Sequence, residues 1–185
     1  MAKLYFNYGA MASGKTIEVI ETVYKYNSKN MHAVLAKPRI DTRGNDKVVS
    51  RIGMERETDF TIGKNETFIE HLKKYEDITC LIVDEAQFLT RIQVLELFYL
   101  VKRLNLPVIC YGLKVDFRGE LFEGSKALLE FADTLNELVA ICSCGRKARF
   151  NARKVNNQYV YEGDVVVIGA DETYEPMCGN CFVDK

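Results

Sequence analysis

The octapeptide Gly9-Ala10-Met11-Ala12-Ser13-Gly14-Lys15-Thr16 follows a strand-like run, Lys3 to Tyr8, and precedes a helical pattern from Ile17 to Tyr26. It matches G-x-x-x-x-G-K-[ST], and the flanking strand and helix are the context in which that pattern has physical meaning. The glycines let the backbone turn its N–H groups toward a polyphosphate, and the helix that starts near Lys15 adds its positive end to the cradle. Lys15 then reaches the β- and γ-phosphates, and Thr16 offers a hydroxyl to Mg²⁺.

The rest of the chain is patterned to support such a loop. Strand-like segments at His32–Ala36, Thr79–Asp84 and Pro107–Tyr111 alternate with helical patterns at Glu66–Lys74 and Ile92–Leu104. Leu81-Ile82-Val83 and Val108-Ile109-Cys110 are continuous apolar runs, as expected of strands buried on both faces. The economical reading is an α/β fold, a parallel sheet flanked by helices. Val94, Leu97, Phe98, Val101 and Leu104 recur at three- and four-residue steps and predict one buried helix face. The segment from Pro38 to Gly63, rich in Arg, Asp, Thr and Gly, is read as an irregular loop.

A second motif ends the Leu81-Ile82-Val83 strand in two carboxylates, Asp84-Glu85-Ala86-Gln87-Phe88. Next to a phosphate loop this is where a metal-ordering aspartate belongs. Adjacent residues at a strand end point to opposite sides, so the two acids should not share a task. Asp84 is assigned to the Mg²⁺ shell and Glu85 to an acceptor hydroxyl, whose proton it can take. Together the motifs specify a nucleoside triphosphatase or kinase without naming the acceptor.

Size and charge narrow the field. At 185 residues the chain holds one motor-sized domain and a small appendage, which excludes a full helicase. With 48% apolar and 28% charged residues it should bury about 70% of its unfolded surface. A net charge of −1 gives no general attraction to nucleic acid or anionic lipid, so a polyanion must be held locally. Apolar stretches are strand-sized and far below the roughly 20 residues of a bilayer helix. Met1 to Phe6 lacks the apolar run of a signal peptide, which predicts a cytosolic address.

After about Ala140 the helical period disappears, and Gln158–Tyr161 and Val165–Ile168 are strand-like. Here lie Cys142-x-Cys144 and Cys178-x-x-Cys181, close pairs that in a reducing compartment more often bind metal than form disulfides. Four thiolates close a tetrahedral Zn²⁺ site with no open position, a structural site. Cys80 and Cys110 sit inside apolar runs and are read as buried packing residues. Arg146, Lys147, Arg149, Arg153 and Lys154, interleaved with Phe150, suggest a rival reading. In it the chain is a P-loop ATPase module with a zinc ribbon acting on nucleic acid. The length, the overall charge and the acids Glu162, Asp164, Asp171, Glu172 and Glu175 stand against it.

The phosphate loop with Ile17-Glu18, Asp84-Glu85-Ala86-Gln87-Phe88, Tyr111-Gly112-Leu113, Asp116-Phe117-Arg118-Gly119-Glu120 and the four cysteines occur in the order found in zinc-containing, P-loop thymidine kinases. The chain resembles that family from Lys3 to Cys181. The resemblance implies a nucleotide-binding unit over residues 1–140 and a zinc unit with a substrate-covering loop over 141–185. It implies transfer of the ATP γ-phosphate to the 5′-hydroxyl of thymidine or deoxyuridine, with Glu85 as proton acceptor. By position, Gly9 to Thr16, Asp84, Gln87, Asp41 and Arg43 fall on the ATP and Mg²⁺ side. Met11, Phe88, Leu113, Phe117 and Tyr174 match the thymine pocket, and Cys142, Cys144, Cys178 and Cys181 the zinc ligands. Arg43, Arg51 and Arg118 are the cationic candidates for the γ-phosphate. A homotetramer, dTTP feedback inhibition, a cytoplasmic setting and no partnership with nucleic acid or membrane are further implications.

Overall fold

The computed structural model describes residues 1–39, 46–163, 165 and 174–185. Asp41, Arg43 and the Val165–Ile168 strand beyond Val165 lie outside them.

β1 (Leu4–Tyr8) leads through the phosphate loop into α1 (Lys15–Asn27) and β2 (His32–Pro38). Three short strands follow: β3 (Lys47–Val49), β4 (Glu55–Glu57) and β5 (Phe60–Ile62). Next come α2 (Phe68–Leu72), β6 (Ile78–Val83), a 3₁₀ turn at Ala86–Phe88, α3 (Arg91–Leu104) and β7 (Val108–Gly112). α4 (Glu123–Phe131) and β8 (Thr134–Glu137) complete the main sheet. The remainder comprises β9 (Ala140–Ile141), β10 (Lys147–Ala148), β11 (Phe150–Val155), β12 (Gln158–Val160), β13 (Tyr174–Met177) and α5 (Gly179–Val183). Among these residues no helix is long and apolar enough to cross a membrane.

The six-stranded sheet has the order β5-β2-β6-β7-β1-β8, and every pairing in it is parallel. Side-chain alternation sends successive residues to opposite faces. Val34, Ala36, Leu81, Val83, Val108 and Cys110 pack with α2, α3 and α4 on one face. Ala33, Leu35, Cys80, Ile82 and Tyr111 meet Val19 and Val23 of α1 on the other. The two predicted core cysteines are thus buried on opposite sides of the sheet.

Two readings of the sequence are corrected. The region from Pro38 to Gly63 is not wholly irregular: β3 and β4 form an antiparallel hairpin, and β5 adds a parallel edge strand to β2. The strands were hidden because the hairpin is mostly solvated and polar, with Glu55, Arg56 and Glu57 in one strand. On α3, Leu104 is exposed, and Leu100 completes the buried face with Val94, Leu97 and Val101. The helix ends there because Asn105 turns into the left-handed region.

α4 fixes the segment that follows Asp84. A Cβ on Gly124 would lie 2.4 Å from the Ala86 carbonyl oxygen and 2.8 Å from that of Leu89. Helix and turn therefore touch backbone to backbone, a distance only glycine permits. Gly124→Ala is expected to destabilise the fold by about 1–3 kcal/mol in urea titration, and to lower turnover in the surviving folded fraction.

Candidate active site and cysteine cluster

Parallel pairing sets the site. Leu4 pairs with Val108, which pairs with Leu81, so the carboxyl ends of β1, β7 and β6 finish side by side. The phosphate loop, the Leu113 segment and the Asp84-Glu85 pair all start from that edge, where ligands bind in open α/β sheets.

In the loop the Lys15 ammonium donates to the carbonyl oxygens of Gly9 (3.0 Å) and Ala10 (2.9 Å) and to Ser13 Oγ (3.3 Å). Its charge is thereby fixed over the cradle. α1 begins at Lys15, as the motif predicts.

Asp84 is buried, and its Oδ1 accepts the Glu85 backbone N–H at 2.9 Å. Glu85 adopts φ +51°, a left-handed conformation that a non-glycine residue holds only where its surroundings enforce it. Its Oε2 accepts a 2.5 Å hydrogen bond from Gln87 Nε2. The Gln87 Oε1 in turn accepts the Leu113 backbone N–H at 3.0 Å. That second bond sets which way the buried amide faces, so its N–H₂ must point at Glu85. Gln87, assigned from sequence to the ATP side, therefore also orients the candidate base.

The proposed base-pocket residues are spread over four segments. Phe88 meets Phe122 edge-on, with ring centroids 5.7 Å apart. Leu113 and Phe117 are buried. Asp116 shapes the turn around Phe117: its Oδ1 accepts the N–H groups of Arg118 and Glu120, and its Oδ2 accepts Arg118 Nε (3.0 Å) and Nη2 (2.9 Å). Arg118 is thus engaged in bracing this turn, the role its position in the sequence did not disclose. The Arg153 guanidinium lies 5.5 Å from the Phe117 ring centre, and Arg153 pairs with Tyr174 across β11 and β13. Met11 is held through its backbone N–H by Asn151. Asn151 and Phe122 belong to no motif, Arg153 stood out only as part of the basic stretch, and periodicity placed none of the three at this site.

The four cysteines of the pairs converge, with their sulfur atoms all within 4.8 Å of one another. The shorter Cys142-x-Cys144 spacing does not prevent this, because a tight turn from Cys142 to Arg146 is closed by backbone bonds in both directions. Backbone N–H groups of Cys144 and Cys178 pull the Cys142 thiol below its usual range, and that of Cys181 lowers Cys178. Cys181 is pushed up by hydrogen bonding with Cys144 and Cys178. Adjacent sulfurs so compete to ionise, and a central divalent cation removes the conflict by stabilising all four thiolates. The donor set fits a structural zinc. His71, stacked on Phe60 in α2, takes no part.

A model of the thymidine kinase family matches residues 2–182. The thymidine kinase of Haemophilus influenzae strain Rd is 45% identical over 193 residues, covering 100% of this chain and 98% of that one. The chain belongs to the thymidine kinase family. It is a phosphotransferase, and the match extends over nearly its whole length. The thymidine kinase of Mannheimia succiniciproducens is 42% identical over 190 residues (100% and 97% covered), and that of Lactiplantibacillus plantarum 44% over 180 (96% and 94%). Among solved structures, the Pif1 helicase of Candida albicans gives a TM-score of 0.39 at 13% identity, covering 74% of this chain and 36% of that one, too distant to carry an argument.

Purified chain is expected to carry about one Zn²⁺, measured by elemental analysis, and Cys144→Ser to lose most of it. The same variant should be cut faster by trypsin in the basic stretch from Arg146 to Lys154, while the main sheet keeps its protection.

Proposed function

We propose that the chain transfers the γ-phosphate of ATP to the 5′-hydroxyl of thymidine, giving dTMP and ADP, and that deoxyuridine is a second acceptor. What supports this reading is the Glu85 carboxylate held by Gln87, itself fixed by the Leu113 N–H, on the segment that leaves β6 at the same sheet edge from which the phosphate loop leaves β1. Lys15 and the loop N–H groups of Gly9 to Thr16 bind the triphosphate. Mg²⁺ bound with ATP would be held by Thr16 and, through water, Asp84, and would neutralise phosphate charge. Asp41 and Arg43 belong to the same side by the family pattern.

The acceptor oxygen forms a bond to the γ-phosphorus as the bridging oxygen to the β-phosphorus departs with ADP, and the hydroxyl proton passes to Glu85. Met11, Phe88, Leu113, Phe117 and Tyr174 form the base pocket, whose apolar faces suit a flat ring. Deoxyuridine lacks only one methyl, worth about 0.8 kcal/mol, so it should be used several-fold less well. Residues 1–140 then serve as the nucleotide-binding unit and 141–185 as a zinc-anchored unit with Cys142, Cys144, Cys178 and Cys181 as ligands.

The proposal extends to a cytoplasmic homotetramer inhibited by dTTP. A molecule uniting thymidine with a triphosphate satisfies both halves of the site, and the exposed apolar side chains Ile92, Leu95 and Tyr99 along α3 supply a face for self-association. The rival nucleic-acid reading is weakened by ion pairing in the basic stretch. Lys147 and Arg149 face Glu137 at 2.6 and 3.4 Å, and Lys154 faces Glu175 at 2.6 Å.

Glu85→Gln is expected to keep ATP affinity while lowering kcat about 100-fold or more. Near-normal turnover in this variant would remove Glu85 as the base. A nucleoside screen should show ATP consumption with thymidine and deoxyuridine and no stimulation by DNA or RNA.

A further inference from the structure

The first three residues of the phosphate loop are held from outside it. Gly9 donates to the Gly112 carbonyl of β7 at 3.3 Å, and a Cβ there would lie 2.7 Å from the Leu138 carbonyl oxygen. Ala10 is buried in the apolar cluster of the cysteine unit, with Ala140, Cys142, Ala148, Ala152, Met177 and Cys178. The next residue, Met11, donates its backbone N–H to Asn151 Oδ1 at 2.7 Å. Asn151 lies on β11, only 3% exposed, opposite Pro176 of β13, two residues before Cys178.

These contacts differ in what they specify. Apolar packing of Ala10 is non-directional and tolerates sliding, whereas a buried amide oxygen accepting one N–H fixes the orientation of a peptide plane. That plane joins Ala10 to Met11, one residue before Ala12 with its φ of +61°, and so fixes where the chain starts its turn into Ser13, Gly14 and Lys15. A glycine-bearing loop has much conformational freedom to lose on binding a phosphate, and an external anchor removes that loss beforehand.

We propose that Asn151 is a positioning residue for the phosphate loop, through which triphosphate affinity depends on the folded state of the cysteine unit. This rests on the reading of Gly9 to Thr16 as the triphosphate cradle. Asn151 itself touches neither phosphate nor base in this role; it acts through the Met11 peptide. The effect should therefore fall on ATP more than on the nucleoside.

The test compares wild type, Asn151→Ala, Asn151→Asp and Lys15→Ala by calorimetric ATP binding, by separate KM values for ATP and thymidine, and by hydrogen exchange at the Met11 amide. Losing one such hydrogen bond should weaken ATP binding about 3- to 10-fold in Asn151→Ala. Met11 exchange should accelerate in that variant, with the thymidine KM moving less. Asn151→Asp keeps the acceptor and should keep the slow Met11 exchange. Unchanged ATP affinity and exchange in Asn151→Ala overturn the proposal. So does accelerated exchange throughout β1 and β6 in both Asn151 variants, which marks a general structural part. Weakened ATP binding in Lys15→Ala with none in Asn151→Ala rejects this proposal alone, while undiminished binding in Lys15→Ala rejects the cradle reading beneath it.

Discussion

The parallel register of three neighbouring strands is the constraint on which the rest depends. With Leu4, Val108 and Leu81 side by side, the loops after β1, β7 and β6 emerge together at one end of the sheet. Residues more than a hundred positions apart then share one small region. No side-chain interaction in the site could compensate for a slip, because a shift by one residue turns the buried set of a strand to the other face. The register is secured by apolar burial on both sides of the sheet, with α1 against one face and α2, α3 and α4 against the other.

Upon this frame the acidic motif is held by polar contacts that leave little freedom. Glu85 occupies a left-handed backbone conformation, and Gln87 spans from its carboxylate to the Leu113 N–H. The 3₁₀ turn that carries Gln87 is itself wedged against α4 at Gly124. Strain at one residue is thus maintained by packing at several others, a common arrangement where a reactive group must be kept in place. Phe117 is secured in a comparable way, since Asp116 ties up both the backbone and the guanidinium of Arg118 around it.

The cysteine unit is more than an appendage to this frame. Its apolar cluster includes Ala10 from the phosphate loop, and Asn151 grips the adjoining peptide. Lys147, Arg149 and Lys154 are matched with carboxylates of β8 and β13, so their field is spent locally instead of being offered to a polyanion. The convergence of four thiols, some pulled toward ionisation and one pushed away, is what a resident cation would resolve.

Much was legible in the sequence wherever chemistry and periodicity coincide over a few residues. The octapeptide at Gly9, the strand ending in Asp84-Glu85, the two-sided strands and the paired cysteines each carry their meaning locally, because backbone geometry and ligand chemistry demand those residue types at those spacings. β3, β4 and α4 were not legible: the first two are only three residues each and β4 is wholly charged, and α4 bears a glycine and a serine in its first turn, chosen for close docking and not for helix propensity. Likewise an asparagine in a strand announces nothing, and only when β11 is laid beside the loop does Asn151 meet the Met11 N–H. Sequence alone determined which groups are this protein's candidates for binding phosphate, moving a proton and holding a metal. Tertiary structure decided which distant groups orient them, since a hydrogen bond between residues 140 positions apart exists only after the chain has closed on itself.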